Sequence, residues 1–328
     1  MKFITNGHPN EAIKILIART VLGSNGARYR HINSMEQLHK LDNPLYFSLL
    51  SNEQCLGNIT LCQRNKSLYL RYFTFHPGFQ ASINPLKKSK PHKSILKNQI
   101  NEFFNSVMSG QHPSIYAYIE PENIRSLALA TEFDFTKQAD ITMFHFSRRF
   151  PKTSNQFKIL TYEEAIPFIR SQFCDQTYYF ENPKSGVYAG WFIHNKLTII
   201  ARFHTGCWEI QSLKGRFGKV LLKTIPWIPI INKLIAPAHH KFAAFDSFLS
   251  LNSSIDSKAV NDFLTAGLAH FQVHHMMHWV DENSTESQYI AHIRWGLLHK
   301  ILGKASINLV VKGDSNPGPY FIGALDML

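Results

Sequence analysis

Two places in this 328-residue chain end an apolar run in the same way. Tyr118-Ile119-Glu120-Pro121-Glu122-Asn123 stands in the first half and Trp279-Val280-Asp281-Glu282-Asn283 in the second. Each sets an aromatic and an aliphatic residue before acids and an asparagine that can begin a helix. The outline around the two joints also repeats. A chain that repeats its outline at this length predicts a duplicated fold rather than two unrelated domains, and about two domains is what the length itself allows.

In the first half a helical spacing covers Asn10–Leu22, with Ala12, Ile15, Leu16 and Leu22 among its apolar positions and Asn10 placed to cap it. Leu45–Leu50, Leu56–Cys62 and Leu68–Phe75 are short, aromatic or β-branched, and separated by polar turns, so they predict an antiparallel meander. A helix over Ser94–Met108 follows, with Leu96, Ile100, Phe103, Phe104 and Val107 on one face, then a strand Ser114–Ile119, a helix Asn123–Glu132 and a strand Phe135–Phe146. The second half predicts a helix Tyr162–Phe173 and strands Val187–Ile193, Leu197–Phe203, Trp208–Leu213 and Lys241–Leu249. A helix Ser257–Phe271, a strand His275–Val280 and a helix Gln288–Leu302 complete it. The polar, proline-punctuated run Arg148–Asn155 reads as a linker, which places the boundary near residue 150 and gives domains 1–150 and 151–328. The expected class is α/β (α+β), each domain a mixed, mainly antiparallel sheet flanked by helices.

The balance of 35 basic against 23 acidic residues, a formal +12, points to an acidic partner or substrate; 44% hydrophobic residues exclude a disordered chain. Val220–Ile235, the longest apolar stretch, is broken by Lys223, Pro226, Pro229 and Lys233 well short of a membrane span. With no signal-like segment at the start, a cytoplasmic protein is expected. The four cysteines have neither the spacing nor the histidine partners of a zinc site and read as ordinary buried thiols. His274-His275-Met276-Met277-His278 reads as core and edge histidines, so no metal is expected.

The element order and three local patterns resemble the GNAT (Gcn5-related N-acetyltransferase) superfamily. The family's fourth strand ends in an apolar-x-apolar-x-Pro-x-aromatic pattern, matched by Phe73-Thr74-Phe75-His76-Pro77-Gly78-Phe79. Its later helix carries an asparagine, a small residue three on and a Gly-Phe pair eleven and twelve on. Here those positions hold Asn123, Ser126, Asp134 and Phe135. The resemblance covers the first half and, through the repeat, extends to the second. It implies tandem GNAT-like domains acting as an acyl-CoA-dependent N-acyltransferase, with acetyl-CoA or another acyl-CoA as co-substrate and an amine as acceptor.

The sequence also departs from the family. The glycine loop that holds pyrophosphate through backbone amides is replaced by Gln80-Ala81-Ser82-Ile83-Asn84-Pro85, the position of a general-acid tyrosine is Ala130, and Tyr69–Phe75 contains no glutamate. On the resemblance, Phe73, Phe75, Phe79 and Asn123 border the acyl-CoA. Lys87, Lys88, Lys90 and Lys93, with Ser94 as a helix cap, would meet its phosphates as point charges; the alternative is a solvated basic loop. For proton transfer the candidates are Glu120 as base and Tyr118 as acid. Their alternative roles are a turn cap and a core or rim aromatic.

No acidic residue occurs from Ile210 through Phe245, while lysines alternate with apolar residues there. This reads as a basic, apolar insertion at about 214–241, suited to an anionic membrane surface, an acyl carrier or RNA, or else to burial at a domain interface. The rival to an enzyme is a catalytically degenerate GNAT-fold protein that binds an anionic partner such as RNA, an acidic protein or a membrane surface.

Overall fold

The computed structural model describes residues 2–23, 27–52, 54–76, 91–108, 112–183, 185–213, 218–252, 256–315 and 317–328; the side chains of 91–94, 219, 221 and 230 lie outside this description. In chain order the first elements are β1 (Lys2–Asn6), α1 (Glu11–Arg19), β2 (Arg28–His31), α2 (Ser34–Lys40), β3 (Pro44–Ser51), β4 (Gln54–Arg64) and β5 (Ser67–Phe75). Then come α3 (Pro91–Met108), β6 (Ser114–Ile119), α4 (Ile124–Glu132), β7 (Thr136–Ser147), β8 (Phe157–Leu160), α5 (Tyr162–Phe173), β9 (Val187–Ile193) and β10 (Lys196–Ser212). The last are α6 (Gly218–Thr224), a 3-10 turn (Ile225–Trp227), α7 (Pro229–Leu234), β11 (His240–Ser250), α8 (Ser257–His270), β12 (His275–Asp281), α9 (Ser287–Ile290), α10 (Leu297–Leu302), β13 (Ala305–Gly313) and a 3-10 turn (Ala324–Met327).

The chain forms two compact units. The first comprises Met1–Asn25, Ser34–Asp140 and Ile307–Asn316, and the second Gly26–Asn33, Ile141–Ser306 and Pro317–Leu328. In the first, the strand order is β1-β3-β4-β5-β6-β13, followed by the start of β7. The pairings β1/β3, β3/β4, β4/β5 and β6/β13 are antiparallel and β5/β6 is parallel. One face of this sheet packs on α3 and α4 through Leu96, Ile100, Phe104, Leu129 and Ala130. On α1, Ile13 and Ile17 are buried, and the helix touches β4 and β5. Asn10 Oδ1 accepts from the Ile13 amide, the cap that the sequence predicts.

In the second unit the order is β7-β12-β11-β10-β9-β8, with β11/β12 parallel and the other pairings antiparallel. The helices α5 and α8 supply Ala165, Ile166, Ile169, Phe173, Val260, Phe263, Leu264 and Leu268 to its core. Thr161 and Glu164 form a reciprocal capping box that starts α5. Both units are thus mixed sheets, mainly antiparallel and flanked by helices, as the sequence predicts.

Three expectations are corrected. The strands expected at Leu197–Phe203 and Trp208–Leu213 are one strand, β10. Its Gly206 is no breaker: a Cβ there would meet Phe242 and Leu328 side chains at 2.8 Å, so glycine is needed for close packing. The helix expected over Gln288–Leu302 is two short helices, α9 and α10, because Gly296 takes φ 97° and a Cβ there would meet the Ser147 carbonyl oxygen at 2.3 Å. The cysteines are all free, but only Cys62 is buried and Cys174 is exposed. No described helix is long and apolar enough to cross a membrane.

Candidate functional site

The site grows from how β5 meets β6. The two strands pair in parallel over only three positions, Ser67↔Ser114, Leu68↔Ile115 and Tyr69↔Tyr116. The closed end is held by a 2.9 Å hydrogen bond between the Ser67 and Ser114 hydroxyls. Immediately beyond it β5 carries a bulge: Leu61 opposes Leu70 and Thr60 opposes Tyr72, which leaves Arg71 as the extra residue. The bulge keeps Leu68, Leu70, Phe73 and Phe75 all on the face covered by α3 and α4, although the spacing breaks strict alternation. From Leu70 onward β5 has no register partner on β6, so the two strands separate as a V.

Phe73 and Phe75 are therefore core side chains. Phe75 meets the Phe73 ring edge-on at 4.8 Å, and Phe73 lies 6.1 Å from both Phe104 and Phe133. Gly57 on β4 makes room, since a Cβ there would meet the Phe75 ring at 2.5 Å. What these two residues present toward the V is backbone.

On β6, Ile115, Ala117 and Ile119 join the helix-covered core, so Tyr116 and Tyr118 project from the other face. They form a cluster with Tyr69, with ring centroids 5.2 to 5.8 Å apart. Fully buried Arg64, paired with Asp42, sits over the Tyr69 ring. Glu120 continues the alternation beyond β6. It is half-buried, its carboxylate has no hydrogen-bond partner among the described residues, and loss of solvent, with Glu122 adding to it, raises its pKa above the usual carboxylate value.

Asn123 Oδ1 accepts from the Ser126 amide at 3.1 Å and caps α4. At the far end of that helix Asp134 takes φ 62°, the left-handed turn that explains a glycine at this position of the family pattern. The buried Lys312 ammonium holds the turn, donating to Asn101 Oδ1, the Phe133 carbonyl and Asp134 Oδ2 at 2.9 to 3.2 Å. Ala130 is buried in the core beside Phe133. Phe79, Lys87, Lys88 and Lys90 lie outside the described residues; Lys93 and Ser94 fall in the first turn of α3, with their side chains outside the description.

The second unit repeats the geometry and then fills it. Strands β11 and β12 pair in parallel only at Ala243↔Met276 and Ala244↔Met277. A bulge follows, with Ser247 and Phe248 opposing the single Ala201 and Ser247 at φ 53°. Here the chain's own groups take the backbone. The Phe248 amide donates to Glu286 Oε1 at 2.7 Å, and His278 Nδ1 donates to the Phe245 carbonyl at 3.0 Å. Asp246 accepts from Arg202 Nε and Nη2 at 2.9 and 2.8 Å, from the Ser247 hydroxyl, and from the Ala324 amide. Burial drives the Glu286 pKa up to about 8, whereas the Arg202 guanidinium keeps Asp246 below its ordinary value despite complete burial.

Sequence reasoning missed both bulges and the Asp246–Arg202–Glu286 group. The available signal was a single acid inside the apolar run Phe242–Leu249. Among the described residues no cluster of histidine, cysteine or carboxylate side chains could hold a metal ion.

No family model and no curated protein matches the chain by sequence. Solved structures do match by shape. Saccharomyces cerevisiae N-myristoyltransferase with bound myristoyl-CoA is similar at a TM-score of 0.54 and 9% identity, over 96% of this chain and 84% of that one. A tandem GNAT protein from the clavulanic acid biosynthesis pathway is similar at 0.52 and 10% identity, over 96% of this chain and 99% of that one. The chain has the tandem GNAT-like fold.

Proposed function

We propose that the protein is an acyl-CoA-dependent N-acyltransferase whose working site is the V between β5 and β6, within the first of two GNAT-like halves joined near residue 150. The observation that carries this reading is the contrast between the two openings. Past the bulge at Arg71 β5 has no register partner on β6, whereas the Phe248 amide at the matching bulge of β11 is taken by Glu286. A strand edge that diverges from its parallel neighbour suits an extended, amide-bearing thioester arm as it would an added strand. Acyl-CoA donors are also the bound ligand named for the N-myristoyltransferase of similar fold.

In this reading Glu120 removes a proton from the acceptor ammonium, directly or through water, and its raised pKa makes it a stronger base. The neutral amine attacks the thioester carbonyl, the new C–N bond forms, and backbone amides of β5 near Phe75 hold the oxyanion. The C–S bond then breaks, Tyr118 gives its proton to the departing thiolate, and the second proton of the attacking nitrogen returns to the Tyr118 phenolate as the amide forms. Phe73 and Phe75 contribute backbone, Phe79 the wall beyond them, and Asn123 its side-chain amide while its oxygen caps α4. Lys87, Lys88, Lys90 and Lys93 meet the phosphates; α3 begins at Pro91, so Ser94 lies within its first turn rather than at the cap expected from sequence. Incubating the protein with acetyl-CoA and longer acyl-CoAs over a panel of primary amines, with thiol release and product mass as readouts, tests the reading. Stoichiometric acyl-amine and free thiol are expected; thiol release without acylated amine, or neither product, overturns it.

A further inference from the structure

Seven of the thirteen large hydrophobic side chains exposed among the described residues fall in one region of the second unit: Phe150, Val220, Trp227, Ile228, Leu297, Ile301 and Leu302. A small buried core ties their elements together. Leu234 of α7 and its neighbour Ile235 pack on Leu298 of α10, with Ile210 of β10 beside them. Trp227 stands at the head of this region with 84% of its surface exposed, Phe150 follows at 61%, Val220 at 58% and Ile301 at 54%.

The tryptophan is held outward by a stiff turn. Pro226 and Pro229 flank it, the Ile228 amide donates to the Ile225 carbonyl at 3.0 Å, and Asn232 Nδ2 donates to the Pro226 carbonyl at 3.2 Å. Beneath it Ile225 is fully buried, which anchors the turn. Exposure of this much apolar surface on a built turn and a short helix is the pattern of a surface made to be covered.

Charge selects the partner. From Ile210 through Phe245 there is no acidic residue, and Lys223, Lys233, Lys241 and Lys300 are exposed around the apolar groups. The Lys233 ammonium lies 5.2 Å from the Phe150 ring centroid and the Arg149 guanidinium 4.8 Å from it, so cations and apolar groups are interleaved rather than segregated. Lysines at the rim with tryptophan and branched aliphatic side chains between them match a bilayer interface carrying anionic headgroups. RNA would use the lysines and an aromatic platform, but Val220, Ile228, Ile301 and Leu302 offer nothing to a phosphate backbone.

We propose that this face docks on an anionic lipid surface, with Trp227, Val220, Ile228 and Ile301 entering the headgroup region and the surrounding lysines meeting lipid phosphates. This inference is independent of the acyl-transfer reading. The test is co-sedimentation of the full chain with vesicles of phosphatidylcholine alone and of phosphatidylcholine with 30% phosphatidylserine. Binding to the anionic vesicles only is expected, falling roughly 25-fold or more in Lys223→Glu/Lys233→Glu, since each lysine near such a surface is worth about fivefold. It should fall severalfold in Trp227→Ser/Ile301→Ser, with Trp227 quenched by brominated lipid in the parent chain. All four positions are exposed, so thermal melts of these variants should match the parent. Equal binding by Trp227→Ser/Ile301→Ser, no binding to anionic vesicles, tight salt-dependent RNA binding in their place, or a dimer that loses its association in the same variants would each overturn the proposal.

Discussion

The Glu286 carboxyl group accepts a 2.7 Å hydrogen bond from the Phe248 amide at the very bulge where β11 parts from β12. In the other unit the bulge at Arg71 stands at the mouth of a V with no such intruding carboxyl among the described residues. The second opening is filled by the chain's own side chains, Glu286 and His278 among them.

Glu286→Gln keeps an acceptor for the Phe248 amide and removes a titration. With a folded pKa of about 8 against an ordinary value of 4.5, the group takes up a proton on folding. Its effect on stability is complete below about pH 4.5 and is lost as pH rises toward 8. Urea titrations should show the parent losing stability between about pH 6.5 and 8, where the buried histidines no longer titrate, and Glu286→Gln losing much less. Glu286→Ala, which strands the amide, should cost about 1–3 kcal/mol at pH 6.

The acid limb has a different origin. His145, His240 and His278 are buried and desolvated, each with its pKa lowered to about 4. His275 joins His145 and His240 by 3.0 Å contacts on its two ring nitrogens. These groups stay neutral when folded and charge when unfolded, so their contribution is full above pH 6.5 and lost as pH falls toward 4. The histidine contribution to midpoint stability between those values should drop with a slope of roughly four protons, about 1.4 kcal/mol per pH unit for each. A flat profile would contradict the burial of neutral imidazoles.

Arg202 and Asp246 are both buried and joined by two hydrogen bonds. Arg202→Met leaves the carboxylate without its countercharge and should cost about 3–5 kcal/mol in urea unfolding. The paired change Arg202→Met/Asp246→Asn should recover part of that loss, a coupling read from the double-mutant cycle.

Glu120 is raised above the ordinary carboxylate range by loss of solvent. If it is the base, the rising limb of kcat/KM against pH lies above that range, and Glu120→Gln lowers kcat by about 10²–10⁴ while removing the limb. Tyr118→Phe should slow thiol release without changing donor binding.

The alternating and helical spacings placed most strands and helices within a residue or two: β6, α5 and β9 match the expectation from sequence because each has clean periodicity and a polar boundary. The element β2 was not legible, since Arg28-Tyr29-Arg30-His31 has no apolar alternation; it forms because Arg30 pairs with Glu209 and Tyr29 stacks on Trp208 at 4.0 Å, far along the chain. Nor was the place of β13 beside β6, which rests on register between Asn308–Gly313 and Ser114–Ile119. Of the candidate site, Tyr118 and Glu120 were visible from the repeated strand ends. The bulges were not, because a single extra residue leaves the local apolar pattern nearly unchanged.

Calorimetric titration of acetyl-CoA and longer acyl-CoAs distinguishes the proposed donor site in the first unit from the filled opening in the second. One saturable site per chain is expected, weakened at least tenfold by Lys87→Glu/Lys88→Glu/Lys90→Glu and unchanged by Glu286→Gln. No saturable binding, or binding indifferent to the lysine reversals and altered by Glu286→Gln, would contradict it.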